Sequence, residues 1–345
     1  MNLPTTVRST LPSTLPGSCM LSVIVPAYNE QEVLPIFHAR LVAALLKIDE
    51  LAGRWEVVYI NDGSKDATLR ILRDLQHTDP RIGLAALSRN FGKEAAMTAG
   101  LRLARGDAVV LIDADLQDPP ELIGDMVRVW QQGADVVNMK RSSRQGETWF
   151  KKASAAWFYK VINWLSDVHI PENVGDFRLL SRRAVDALNQ LPESNRFMKG
   201  LFAWIGYNQV VVEYVRAPRA AGETKWPYFK LLDFAIEGIT GFSVVPLRLA
   251  SYAGFLTAFS AFIYALFLLV KTLTIGDSVK GFPTLILTIL ILGGLQLMAM
   301  GIIGEYLGRL FMESKRRPLF LMDEYVAPQA IACVEVQTPA QTANV

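Results

Sequence analysis

Two stretches near the C-terminal end of the chain contain no charged residue: "LASYAGFLTAFSAFIYALFLLV" (249–270) and "FPTLILTILILGGLQLMAMGIIG" (282–304). As helices each spans roughly 33 Å, enough for a hydrocarbon core ~30 Å thick. Lipid offers no partner to backbone polar groups, so such runs must form helices if they enter a bilayer. The competing reading is a pair of core helices in a soluble protein. The flanking charges favour the bilayer. Arg248 precedes the pair and Arg309, Lys315, Arg316 and Arg317 follow it, while the short connection holds Lys271 and Lys280 against Asp277. The positive-inside rule then places both outer ends, and the large N-terminal part, in the cytoplasm.

Composition narrows what that N-terminal part can be. Of 345 residues, 51% are hydrophobic and 20% charged, with a net charge of +2, which is too little basic excess for a nucleic-acid partner. Cys19 and Cys333 lie in opposite terminal segments without motif partners, which fits a reducing compartment. His38, His77 and His169 have no zinc-site spacing. Residues 1–20 are rich in Ser, Thr and Pro, lack the apolar core of a signal peptide, and read as a disordered leader.

Between residues 20 and 220, short β-branched runs alternate with helical patterns. "SVIV" (22–25), "EVVYI" (56–60), "IGLAAL" (82–87), "AVVLI" (108–112) and "DVVNM" (135–139) read as strands. Strand–helix alternation implies an α/β domain with a mostly parallel, helix-covered sheet that binds ligands at the carboxyl ends of its strands. Neither G-x-G-x-x-G nor a Walker A motif follows the first strand. Asn29 with Glu32, and Asp118 with Glu121, match the helix capping box, with Pro120 in the first turn of the second helix.

The fourth run ends in four carboxylates, "DADLQDPPE" (113–121). If Asp118 and Glu121 cap a helix, Asp113 and Asp115 remain. In extended backbone, residues i and i+2 point the same way, so both carboxylates project together and repel. A hard divalent cation such as Mg²⁺ or Mn²⁺ removes that conflict; a solvated polar loop is the alternative. Tyr28 and Glu30 follow the first strand and Asp62 the second, before a Gly63–Ser64 turn. An aromatic ring, acids and a cation at adjacent strand ends suit a nucleoside diphosphate.

"VIVPAYNE", "INDGSKDAT", "SRNFGKEAAMTAGL", "IDADLQDPPE", "GDFRLLSRRAV" (175–185) and "AGETKWPYFKLL" (221–232) together resemble the family 2 GT-A glycosyltransferases. Within that family they are most similar to the polyprenyl-phosphate group, which contains dolichyl-phosphate mannose synthases and bactoprenol glucosyltransferases. The resemblance runs from about residue 20 to about 318 and includes the two apolar segments. It implies a Rossmann-like GT-A domain and an inverting, metal-dependent transfer from a UDP- or GDP-sugar to a lipid phosphate. Pro26, Ala27, Tyr28, Glu30, Asp62 and Asp113 would form the nucleotide pocket. Asp113, Asp115 and Gln117 would hold Mg²⁺ or Mn²⁺, and Asp115 would thereby serve catalysis. Asp176 falls where some members place a catalytic carboxylate. Arg141, with Arg144, Lys151 and Lys152, falls where the family binds the acceptor phosphate. The resemblance also implies a homo-oligomer, a tetramer.

A lipid phosphomonoester is mostly ionised at neutral pH, so it needs little help from a base; the departing nucleotide's charge needs more. "WPYFKLLDFAIEGITGF" (226–242) and "WFKKASAAWFYKVINWL" (149–165) mix apolar or aromatic residues with charge as interfacial helices do, or else pack on the sheet. The expected organisation is a leader (1–20), a GT-A domain (21–220), an interfacial amphipathic segment (221–247), two transmembrane helices within 248–308, and a cytoplasmic tail (309–345). This describes a multi-pass protein of a bacterial inner membrane with both termini cytoplasmic. Its expected reaction is glucose transfer from UDP-glucose to undecaprenyl phosphate, for lipopolysaccharide or O-antigen modification. Aminoarabinose, galactose or GDP-mannose are alternative donors. Two spans are too few for the pore of a processive synthase, and the intact Asp-x-Asp argues against a non-catalytic scaffold.

Overall fold

The computed structural model describes residues 20–141, 174–191, 193, 196–215, 245–275 and 281–329. The five apolar runs form strands: β1 (Leu21–Ala27), β2 (Trp55–Asn61), β3 (Ile82–Leu87), β4 (Ala108–Leu111) and β5 (Val136–Arg141). They read clearly because nearly every residue in β1 to β4 is buried, as expected of strands covered on both faces. One face packs against α1 (Leu34–Leu45), α2 (Thr68–Thr78) and α4 (Ile123–Gln131) through Phe37, Leu41, Leu72 and Met126. The other packs against α3 (Lys93–Leu103), α5 (Arg182–Gln190) and α6 (Met198–Trp204) through Met97, Leu101, Leu188 and Phe202.

Three further strands complete the sheet: β6 (Val174–Ser181), β7 (Gln209–Tyr214) and β8 (Met322–Val326). The strand order is β7-β5-β6-β4-β1-β2-β3-β8. The central β4-β1-β2-β3 block is parallel, but β6 runs antiparallel to both its neighbours and β8 antiparallel to β3, so the whole sheet is mixed. The chain winds outward from β1 to β3 and then returns to β4 on the other side of β1. That reversal opens a crevice at the carboxyl ends of β1 and β4.

The segment after the last helix, expected as a tail, forms β8 and adds a strand to the β3 edge. Glu324 pairs with Arg73 at 2.7 Å, the Pro328 carbonyl accepts from Arg105 at 2.8 Å, and the Gln329 N–H donates to the Pro80 carbonyl. Arg105 is itself held by the buried Glu56, which also accepts from the Ser22 hydroxyl. The edge that β3 would otherwise expose is therefore covered by the chain's own end.

Two long helices precede β8: α7 (Val245–Ile275) and α8 (Phe282–Ser314). They pack against each other and expose large apolar side chains, among them Phe255, Phe262, Leu297 and Met300. The two uncharged stretches predict two spans. Among the described residues one stretch, Ile291–Ser314, is long and apolar enough to cross a membrane, and the apolar stretch in α7, Leu249–Tyr264, is shorter. The expected interfacial segments at 149–165 and 226–242, and the leader up to residue 19, lie outside the described residues.

Both capping boxes are corrected. The N-cap of α1 is Val33, with no side-chain cap, and Pro35 lies in its first turn. Asn29 instead takes a left-handed conformation at φ 55°, which Asn tolerates, and its Oδ1 accepts from the Lys65 N–H. The short 3-10 turn Pro120–Leu122 is preceded by Pro119 and also lacks a side-chain cap. Asp118 is buried instead and accepts a hydrogen bond from the Tyr214 hydroxyl; Glu121 pairs with Arg40 on α1. In each case a partner distant in sequence claims the side chain.

Candidate active site

A cleft of about 250 Å³ opens at the carboxyl ends of β1 to β4. Pro26, Ala27, Tyr28, Glu30, Asp62, Asp113 and Asp115 line it, together with Asn90, Gly92, Lys93, Ala96 and Ala114. All the residues expected in a nucleotide pocket therefore converge. Gln117 is not part of the lining; its backbone N–H donates to Asp115 Oδ1 at 3.0 Å.

The loops after β1 and β2 are stapled together. The Asn29 N–H donates to Ser64 Oγ, the Glu30 N–H to Thr68 Oγ1, and the Ala67 N–H to Gln31 Oε1. This fixes Tyr28 at the cleft mouth with its ring exposed. Asp62 is 4% exposed, and its two oxygens accept from the N–H groups of Phe91 and Gly92 at 2.7 and 2.9 Å. Burial raises its pKa, against those two hydrogen bonds. Asp62 thus ties the loop after β3 to the end of β2. Gly63 makes the tie possible: at φ 65° it is left-handed, and a Cβ there would stand 2.4 Å from the Arg89 carbonyl carbon.

Sequence reasoning missed the group at the centre of the site. Lys93, the first residue of α3, donates through Nζ to Asp113 Oδ2 at 2.7 Å and to Asp176 Oδ2 at 2.5 Å. Asp176, on β6, is thereby joined to the end of β4. Burial would raise its pKa, but Lys93 and Lys199 outweigh burial and hold it well below the usual carboxylate range. Asp113 goes the other way: burial raises its pKa, Lys93 opposes, and the neighbouring Asp176 and Asp115 charges add to the rise. The available signal was a lysine in "NFGKEAA" at a helix start, where the macrodipole disfavours a cation.

Behind Asp176 sits a buried charged layer. Arg178 on β6 lies 3.8 Å over the Phe202 ring and donates to the Gly175 carbonyl; burial lowers its pKa to about 10. Glu94 accepts from the Met198 N–H, and burial reinforced by Asp176 pushes its pKa up to about 8.

Arg141 ends β5 and is separate from the cleft lining. Its guanidinium packs on Gly175, where a Cβ would meet it at 2.9 Å, and it joins Tyr214 and Asp118 in one cluster. Lys140 pairs with Glu213. Arg144, Lys151 and Lys152 lie outside the described residues.

Residues 22–188 match the family described as glycosyl transferase family 2. The chain is 50% identical over 306 residues to an uncharacterized glycosyltransferase of Synechocystis sp., covering 88% of this chain and 95% of that one. It is 47% identical over 303 residues to the bactoprenol glucosyl transferase of Shigella phage SfV, covering 88% and 97%. Among solved structures, residues 1–349 of S. aureus TarS in complex with UDP-GlcNAc align with a TM-score of 0.44 at 19% identity, covering 65% of this chain and 67% of that one. The chain is a glycosyltransferase with a GT-A-type α/β domain, and it belongs to glycosyl transferase family 2, in the group of the bactoprenol glucosyl transferases.

Proposed function

We propose that the protein transfers one glucose unit from UDP-glucose to undecaprenyl phosphate at the cytoplasmic face of a bacterial inner membrane, with inversion, to supply a lipid-linked sugar for cell-surface glycan modification. One observation carries this. Tyr28, Glu30, Asp62, Asp113 and Asp115 share a single cleft, in a chain 47% identical to a bactoprenol glucosyl transferase over 88% of its length.

The residues fit a divalent cation in a particular way. Among the described residues no cluster of three or more His, Cys, Asp or Glu side chains could hold a metal unaided. Asp113 and Asp115 supply hard oxygen donors in one cleft, and an ion using one or two carboxylates completes its shell with substrate phosphates and water. A cation bound there would neutralise charge on the departing nucleotide diphosphate. The chain's own side chains do the rest. Tyr28 presents a ring on which the base stacks, and Glu30 and Asp62 read the base or ribose. Asp176, kept ionised by Lys93 and Lys199, holds the Lys93 ammonium beside Asp113 rather than serving as an obligatory base. Arg141 marks the side from which that phosphate approaches, with Arg144, Lys151 and Lys152 as its further cationic partners.

The return of β8 supports a membrane hairpin. It joins the sheet that holds β1 to β7, so the chain is in the domain at Tyr214 and again at Met322. A chain that enters a bilayer in that interval crosses it an even number of times. This favours α7 and α8 as two spans over α8 alone, with the flanking cations on the cytoplasmic side. The polyprenyl tail then stays in lipid while its phosphate reaches the domain above.

The test is a donor panel. Full-length protein with undecaprenyl phosphate should use UDP-glucose in preference to UDP-galactose, UDP-aminoarabinose and GDP-mannose, and give a β-linked product. Preference for another donor would overturn the glucose assignment.

A further inference from the structure

Lys93 poses a problem that the proposed reaction does not answer. A lysine at the first residue of a helix opposes the helix macrodipole. Here it also holds a carboxylate, Asp113, that the proposed cation needs. Its ammonium is shared with Asp176 at 2.5 Å, so one positive charge serves two anions on different strands. Its side chain is 42% exposed to the cleft, and a four-carbon stem can swing the charge elsewhere without disturbing the backbone.

We propose that Lys93 is a positioning residue that makes divalent-cation binding depend on the nucleotide: its ammonium occupies Asp113 until a diphosphate offers it another anion. The inference rests on the reading that Asp113 and Asp115 hold the cation. Without nucleotide, a divalent ion must displace the ammonium, and among the described residues no group of three or more His, Cys, Asp or Glu side chains is assembled to hold it. With nucleotide, the phosphates supply oxygens to the ion and a new partner to Lys93, which lines the same cleft. Asp176 keeps the ammonium at the site throughout, so release of Asp113 is a short swing rather than an escape into solvent.

The consequence runs against the usual effect of mutating an active-site residue. Replacing Lys93 with a neutral side chain should strengthen binding of the bare cation. A cation at hydrogen-bond distance weakens a carboxylate's hold on another cation by about tenfold or more.

The experiment measures Mn²⁺ binding to full-length protein, with and without UDP, by calorimetry or by the electron-spin signal of free Mn²⁺. Lys93→Gln should bind Mn²⁺ without UDP about tenfold or more tighter than wild type, and the gain on adding UDP should shrink by a similar factor. Lys93→Arg keeps the charge and should keep wild-type affinity without UDP. Unchanged or weaker Mn²⁺ binding by folded Lys93→Gln overturns the proposal. So does equal tightening in Lys93→Arg, which would make shape rather than charge the cause; if Lys93→Gln does not fold, Lys93→Met carries the same expectation and the same refutation. The underlying metal assignment fails separately: Asp115→Asn would then leave Mn²⁺ affinity in the presence of UDP at the wild-type value.

Discussion

Asp118→Asn separates two accounts of one carboxylate. As a helix cap, Asp118 would be replaceable, because Asn caps nearly as well as Asp. The structure gives it a different task. It is 1% exposed, accepts from the Tyr214 hydroxyl, and stands beside Arg141. Burial works against the Arg141 cation, but the Tyr214 hydrogen bond and the Asp118 charge outweigh it and raise its pKa. Asn keeps the size and loses the charge that favours the Arg141 cation and accepts from the Tyr214 hydroxyl. Breaking a fully buried ion pair costs about 3–5 kcal/mol, and a hydrogen bond to a charged group is worth about 1.5–3 kcal/mol. Arg141 is only half-buried, so the upper part of the hydrogen-bond figure applies, about 2–3 kcal/mol. For a domain of this size that lowers Tm by roughly 4–12 °C. The assay is thermal unfolding of the purified protein in detergent, with Tyr214→Phe and the double variant completing a cycle. The two sites should couple by about 1 kcal/mol or more. A melting temperature within about 2 °C of wild type, the result that a cap predicts, would refute the cluster.

Two further outcomes follow from the site. Glu94 holds its proton up to about pH 8 in the folded protein, whereas its ordinary value is 4.5, so its contribution to stability is fully present below 4.5 and is lost as pH rises toward 8. Melting temperatures between pH 5 and 9 should therefore fall less steeply for Glu94→Gln than for wild type, and parallel profiles would contradict the assignment. Gly63→Ala adds a methyl 2.4 Å from the Arg89 carbonyl carbon at a left-handed residue, so it should destabilise by about 2 kcal/mol or more and weaken UDP binding in calorimetry. Wild-type UDP affinity would show that the Asp62 tie does not shape the cleft.

What the sequence made legible, and what it hid, divides by how local the cause is. β1 to β5 were readable because most of their residues are buried and apolar. β6 hid behind Asp176 and Arg178. A buried arginine in a strand looks like a loop residue until Phe202 is seen beneath it and the Gly175 carbonyl beside it. β8 was invisible because "MDEYV" has no strand partner nearby in sequence; β3 lies far upstream. Asn29 and Asp118 carried valid capping patterns, and both were overridden by distant partners, Lys65 and Tyr214. The cleft residues converged as expected because strand ends of a parallel sheet meet on one side. Lys93 was missed because its two carboxylates arrive from β4 and β6, which no local pattern joins.

The central claim is that this cleft moves glucose onto a lipid phosphate with the help of Asp115. The most direct measurement is the appearance of radiolabelled glucose from UDP-glucose in organic-extractable lipid, using purified full-length protein with and without undecaprenyl phosphate. Wild type should label the lipid only when the phosphate acceptor is present and should stop when EDTA is added. Asp115→Asn, folded and inserted as wild type, should lose most of that transfer, because a neutral amide replaces a charged oxygen ligand. Label that appears without acceptor, or full transfer by Asp115→Asn, would contradict the account.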